Sequence, residues 1–149
     1  MLINLDNKGL KSIVDSYDLF FIDLWGVIHN GIKLYDESIE VLDNLSEAKK
    51  DFILLTNAPR PNQNVVNFLK KIGLKKHLEN VFTSGEAAKI YLVNELDKQK
   101  FFHIGPPRDF DLFENIKKNI VSNINDADYF LCTGLFDNHE NDLNYYKNL

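Results

Sequence analysis

Two stretches of this chain bring oxygen chemistry to the end of an apolar run. Leu19-Phe20-Phe21-Ile22 leads into Asp23, and Phe52-Ile53-Leu54-Leu55 leads into Thr56 and Asn57. A carboxylate at the carboxyl end of a buried strand can act as nucleophile, as ligand to a hard cation, or as both. A hydroxyl ending a second strand, beside free backbone N–H groups and a helix N-terminus, suits an anionic oxygen such as that of a phosphate. Either residue alone is also an ordinary strand end. His29 and Asp36 follow Asp23 closely enough to carry protons, yet a surface histidine and a helix cap are the simpler readings. Arg60, just past Thr56, can meet an anionic substrate, although solvation is the plainer role for a loop arginine.

Asp23 and Thr56 can cooperate only if their strands lie side by side, and the surrounding pattern predicts that they do. Short apolar runs alternate with amphipathic stretches, which is the signature of an α/β fold with a parallel sheet and crossover helices. Leu19–Ile22 is apolar throughout, as for a strand covered on both faces. Glu37 to Lys50 carries Ile39, Leu42, Leu45 and Ala48 at helical spacing, with Asp36 as its N-cap. Beyond Pro59 and Pro61, a stripe of Val65, Val66, Phe68, Leu69 and Ile72 closes at Gly73. Val81-Phe82-Thr83 is a third strand, and Ser84-Gly85 opens a helix over 86–96. Ligands of open parallel sheets bind outside the carboxyl ends of the strands, where Asp23 and Thr56 fall.

A second β-α-β pattern follows a polar stretch at 98–100, which divides the chain into residues 1–98 and 99–149. It comprises a strand at Phe101–Ile104, a helix at Asp109–Ile120, a strand at Tyr129–Cys132 and a helix from Asn141. Phe101, Phe102, Tyr129 and Phe130 read as its core, and His103 as a buried, hydrogen-bonded histidine. Lys117 and Lys118 read as a solvated face, and Asp126 and Asp128 as turn residues.

The bulk properties exclude several functions. With 149 residues, 44% hydrophobic and 26% charged, the chain can bury a core. A net charge of −5 and a pI near 5.3 give no electrostatic reason for nucleic acid or an anionic membrane as partner. No stretch nears the roughly 20 apolar residues that span a bilayer. The first six residues lack the basic start and apolar run of a signal peptide. A lone cysteine, Cys132, excludes an internal disulfide and suits a reducing compartment, so the expected location is cytoplasmic.

Phe21-Ile22-Asp23-Leu24-Trp25-Gly26-Val27-Ile28-His29-Asn30-Gly31 resembles the first motif of the haloacid-dehalogenase (HAD) superfamily, a strand followed by Asp-x-Asp-Gly-Val. Leu54-Leu55-Thr56-Asn57-Ala58-Pro59-Arg60 resembles its second, a strand ending in Thr or Ser. The Thr56-Asn57 pair, the short gap between motifs and Thr83-Ser84-Gly85-Glu86 are similar to class IIA, in an Asp-x-Trp-Gly variant. The resemblance implies a HAD-like Rossmannoid sheet, with 1–98 as the N-terminal part of the core and 99–149 as the first part of an α/β cap. It implies an Mg²⁺-dependent phosphatase of a small phosphorylated metabolite. Asp23 would form an aspartyl-phosphate, and its carboxylate would share Mg²⁺ with the Trp25 backbone carbonyl. Thr56 and the Asn57 backbone N–H would hold the phosphoryl group.

Two departures accompany this resemblance. The family's general acid/base is a carboxylate two residues after the nucleophile, where this chain has Trp25. An indole cannot protonate a leaving alkoxide, and losing such help costs roughly 10²–10⁴-fold; Trp25 itself reads as packing against the cap. The family's third motif, a lysine, and fourth, an acidic pair, follow the cap, so the chain is expected to be an N-terminal portion with an exposed Leu19–Ile22 edge. Such an edge invites pairing, either with a second copy or with a separate C-terminal half. Two other readings stay open: an inactive remnant serving as an interaction module, and a response-regulator-like phosphoacceptor, whose extra acidic pair is absent near the first strand.

Overall fold

β1 (Leu19–Asp23) pairs in parallel with β2 (Asp51–Thr56), with Leu19 opposite Asp51 and Asp23 opposite Leu55. Thr56 therefore lies one residue past the level of Asp23. β3 (Val81–Thr83) flanks β2 on its other side, giving the order β1-β2-β3. The structure, a computed structural model, describes residues 5–149. Residues 1–4, part of the segment read above as carrying no leader, lie outside the described residues. No described helix is long and apolar enough to cross a membrane.

The chain divides into two compact units, one of Met1–Thr56 with Val66–Phe82 and the other of Asn57–Val65 with Thr83–Leu149. In the first, α1 (Leu5–Lys8) and two 3₁₀ turns, Leu10–Ser12 and Val14–Ser16, lead to β1. α2 (Asp36–Glu47) buries Leu42 and Leu45, and α3 (Asn62–Lys71), which begins in the second unit, buries Leu69. Asp36 is not the cap expected of it. Tyr35 occupies the cap position with no side-chain hydrogen bond, and Asp36 lies inside the first turn. There its charge complements the positive end of the helix dipole.

Alternate strand residues face opposite sides of a sheet. On one side Phe52 and Leu54 are buried; on the other, Leu19, Phe21 and Leu55 are 45%, 64% and 41% exposed. Leu19–Ile22 is thus covered on one face, not on both as its composition predicts. β1 is the outer strand of its sheet.

In the second unit, β4 (Phe101–Ile104) and β5 (Tyr129–Cys132) pair in parallel, with Phe101 opposite Tyr129. Their connection is not the expected continuous helix. It is a run of 3₁₀ turns, Pro107–Asn119, interrupted at Phe113 and Ile116. Both interruptions fall at residues packed with Phe101, Leu112 and Leu92, so side-chain burial wins over helical regularity. Phe101 is fully buried and Tyr129 stacks on it at 5.6 Å, but Phe130 is 58% exposed on the open side of this two-stranded sheet and is not core. α4 (Ser84–Glu95) contributes Leu92 to this cluster within the second unit. α5 (Leu143–Lys147), capped by Asp142, is shorter than the pattern predicts.

Residues 57–62, which leave Thr56, are fastened to the start of α4 inside the second unit. Gly85 N–H and Ser84 Oγ both donate to the Ala58 carbonyl, at 3.1 and 3.0 Å. Thr83 Oγ1 donates to the Arg60 carbonyl at 2.5 Å and accepts Glu86 N–H at 2.8 Å. Asn62 closes the joint, accepting Thr83 N–H and donating its own N–H to Glu86 Oε2, both at 2.9 Å. A Cβ on Gly85 would lie 2.2–2.5 Å from the Arg60 backbone, which explains the glycine. Gly85→Ala is expected to cost about 1–3 kcal/mol, as overpacking does, in urea unfolding. Burial pushes the Glu86 carboxyl up, but the Asn62 N–H and Lys89 together bring it below its ordinary 4.5. Its stabilisation is complete above that value and is lost as pH falls through the lower folded value. Unfolding between pH 6 and 3 should therefore show a flatter acid limb in Glu86→Gln than in the parent.

Candidate active site

Immediately after Asp23 the backbone winds into a tight loop around one carbonyl. Leu24 O accepts N–H bonds from Val27, Ile28 and His29 at 3.4, 2.9 and 3.1 Å, while Gly26 N–H returns to His29 O at 2.8 Å. Gly26 takes φ 76°, a conformation that favours glycine. Leu24 and Ile28 are each 1% exposed and root the loop in the first unit. Ser38 Oγ donates to Val27 O at 2.6 Å, and Tyr35 N–H donates to Ile28 O at 2.9 Å, which ties the loop to the start of α2. The loop's hydrogen bonds pass over the Trp25 carbonyl, to which no backbone N–H among the described residues donates.

Trp25 is 65% exposed and therefore not packed away as expected. Its ring lies across Gly31, where a Cβ would come within 2.7 Å of two ring carbons, and meets the edge of His29 at 5.6 Å. His29 packs in turn against Phe68 at 5.2 Å. The expectation of a surface histidine is wrong, because His29 is 5% exposed. Gly31 N–H donates to its Nδ1 at 3.0 Å, which places the proton of the neutral ring on Nε2. Burial lowers the His29 pKa and outweighs the opposing pull of the Asp23 charge.

Asp23 lies on the exposed face of β1, and half-buried Thr56 ends the adjacent strand. Asn57 is exposed at the first position of the segment that continues into the second unit. Within that unit Arg60 does not simply face solvent, since its Nε lies 3.9 Å from the Oδ1 of buried Asp109. His103 is buried as expected, bonded to Thr133 Oγ1 at 2.9 Å, and burial lowers its pKa against the pull of Asp109. Lys117 and Lys118 pair on the surface with Glu114 and Asp97, and Asp128 accepts Lys100 N–H as a turn residue. The residue undervalued by the sequence is His29; its place in the His29-Asn30-Gly31 turn that ends the motif is the one signal pointing to it.

Among the described residues no three His, Cys, Asp or Glu side chains gather closely enough to hold a metal ion. The donors present nonetheless suit Mg²⁺, which takes hard oxygen ligands from one or two carboxylates and completes its shell with water and phosphate. The Asp23 carboxylate and the Trp25 carbonyl are of that type.

The sequence profile of the haloacid dehalogenase-like hydrolases matches residues 20–117. Phosphoglycolate phosphatase 2 of Arabidopsis thaliana is 29% identical over 103 residues, covering 67% of this chain and 34% of that protein. A haloacid dehalogenase-like hydrolase from Brucella suis superposes with a TM-score of 0.76 at 28% identity, over 99% of this chain and 54% of its own. A 4-nitrophenylphosphatase from Thermotoga maritima does so with a TM-score of 0.65 at 26% identity, over 80% and 46%. The chain thus spans about a third of the plant protein and about half of the bacterial ones. With Asp23 and Thr56 ending adjacent parallel strands inside the matched segment, the chain belongs to the haloacid dehalogenase-like hydrolases.

Proposed function

We propose that the chain carries the nucleophile half of an Mg²⁺-dependent phosphomonoester phosphatase acting on a small phosphorylated metabolite. The observation that supports this most is the β1–β2 register, which puts a carboxylate and a hydroxyl at the same end of neighbouring parallel strands. An Asp23 oxygen attacks phosphorus in line as the ester bond breaks, and water then releases phosphate and restores the carboxylate. The Thr56 hydroxyl and the Asn57 N–H hold the phosphoryl oxygens, since phosphoryl transfer depends mainly on positioning and charge neutralisation. Mg²⁺, held by the Asp23 carboxylate and the Trp25 carbonyl, supplies the charge that offsets repulsion between carboxylate and phosphate. The phosphatase names of the plant and Thermotoga relatives agree with this reading.

In the same reading, residues 1–98 are core and 99–149 begin a substrate-selecting cap, in a protein of the reducing cytoplasm. Association accompanies this activity in the same reading, because the β1 edge and the Leu19, Phe21 and Leu55 face stand open. The partner is a second copy or a separate C-terminal half. Trp25 also favours a second reading, an inactive member retained as an interaction module.

Hydrolysis of 4-nitrophenyl phosphate separates these two readings. Release of 4-nitrophenol that requires Mg²⁺ and falls to background in Asp23→Asn supports the enzyme; a folded protein with no activity in either form supports the inactive module. Light scattering after size exclusion should give a mass above the 17.3 kDa of one chain, rising with concentration. A compact monomer throughout the concentration range would remove self-association and leave the separate half to be sought.

A further inference from the structure

We propose that the Asp23 site serves phosphoryl donors whose leaving group departs as a stable anion without receiving a proton, namely aryl or acyl phosphates, with that flat group lying on the exposed face of Trp25. The inference rests on the phosphatase reading and narrows its substrate class.

Expelling an alkoxide from phosphorus calls for a proton donor in the transition state. A phenolate, whose conjugate acid titrates near 10 as tyrosine does, needs that help less. A carboxylate, near 4, does not need it. The described side chains of the loop that follows Asp23 offer no such donor. Trp25 has only an indole N–H, a hydrogen-bond donor without acidity. His29 has its Nδ1 occupied by Gly31 N–H, so its remaining proton is the Nε2–H of a neutral ring wedged between Trp25 and Phe68. Asn30 uses its Oδ1 on the N–H groups of Ile32 and Lys33.

Trp25 meanwhile has the properties of a built surface. An exposed indole is ordinarily free to change rotamer, but this one is backed by Gly31 and edged by His29. Gly31 combines φ 88° with a Cβ position 2.7 Å from the indole, so both backbone and space demand glycine there. The result is a fixed flat wall two residues from the nucleophile, with one side open. Offset stacking on such a wall favours a planar leaving group by roughly two- to tenfold in KM.

The chemistry balances without an acid. An Asp23 oxygen forms a bond to phosphorus while the bond to the phenolate or carboxylate breaks, and that group leaves with the electron pair. Water then adds to phosphorus, the pair of the breaking bond returns to the Asp23 carboxylate, and the water protons remain with the released phosphate or pass to solvent. Trp25, with its indole N–H, supplies no base for that water either, so the second step is the slow one and the aspartyl-phosphate accumulates.

The test is a set of donors turned over by the full chain with Mg²⁺: phenyl phosphates with leaving-group pKa from about 5 to about 10, acetyl phosphate, and glycerol phosphate. The parent is compared with Trp25→Asp, Trp25→Phe and Asp23→Asn, each checked for folding by circular dichroism. The parent should show kcat/KM falling steeply with leaving-group pKa, and glycerol phosphate slower than 4-nitrophenyl phosphate by about 10²–10⁴-fold. A burst approaching one leaving group per chain should precede steady turnover. Trp25→Asp should flatten the slope and shrink the burst. Trp25→Phe should keep the slope and raise KM for aryl donors more than for acetyl phosphate, and the better donor in the parent identifies the source. A parent that turns over glycerol phosphate as fast as aryl donors, or a slope unchanged in Trp25→Asp, overturns the proposal while leaving the phosphatase standing. Turnover that survives Asp23→Asn overturns the phosphatase reading itself.

Discussion

The candidate site depends on the parallel pairing of β1 with β2. A strand has a side-chain period of two, so a slip of one residue would carry Asp23 to the opposite face of the sheet. What holds the register is the buried side, where Phe52 and Leu54 are almost inaccessible and Phe20 and Ile22 are half-buried. The Asp23 face has little to hold it, since Leu19 and Phe21 are exposed. The position of Asp23 is therefore set by packing on the opposite side of the sheet.

From there the loop at 24–31 converts a strand end into a site. Leu24 and Ile28 anchor it, the Leu24 carbonyl gathers three N–H groups, and Gly26 makes the reversal. This economy leaves the Trp25 carbonyl without a backbone donor among the described residues and His29 enclosed, with its Nδ1 spent on Gly31. An enclosed histidine of this kind stiffens the loop, and it makes the absence of a carboxylate at residue 25 harder to compensate.

The strands were legible because each is a short apolar run bounded by polar residues. Phe101–Ile104, Tyr129–Cys132 and Val81–Thr83 have the limits that their residues predict. Asp23 and Thr56 were legible for the same reason, as the first polar side chains after such runs. What local sequence could not carry was the surrounding three-dimensional packing. Leu19 and Phe21 have the composition of a doubly covered strand and yet stand open, because cover comes from elements remote in sequence. The 107–119 segment has a helical pattern but yields to the burial of Phe113 and Ile116. His29 looked like a solvated turn residue because its partners, Trp25 and Phe68, converge only when the chain folds.

The open face of the sheet is also the face that carries Asp23. Side chains of Leu19, Phe21 and Asp23 alternate onto one side of β1, and Leu55, opposite Asp23, shares that side. Apolar burial at about 25 cal/mol per Å² favours covering Leu19, Phe21 and Leu55. Any protein surface that does so must come to rest beside the Asp23 carboxylate. Covering would also exclude water there, and in a drier site each charge and dipole acting on a phosphoryl group counts for more than in solvent. In the proposed function association and catalysis would share one patch: apolar residues would supply the driving force for contact, and the carboxylate among them would gain a drier environment for phosphoryl transfer.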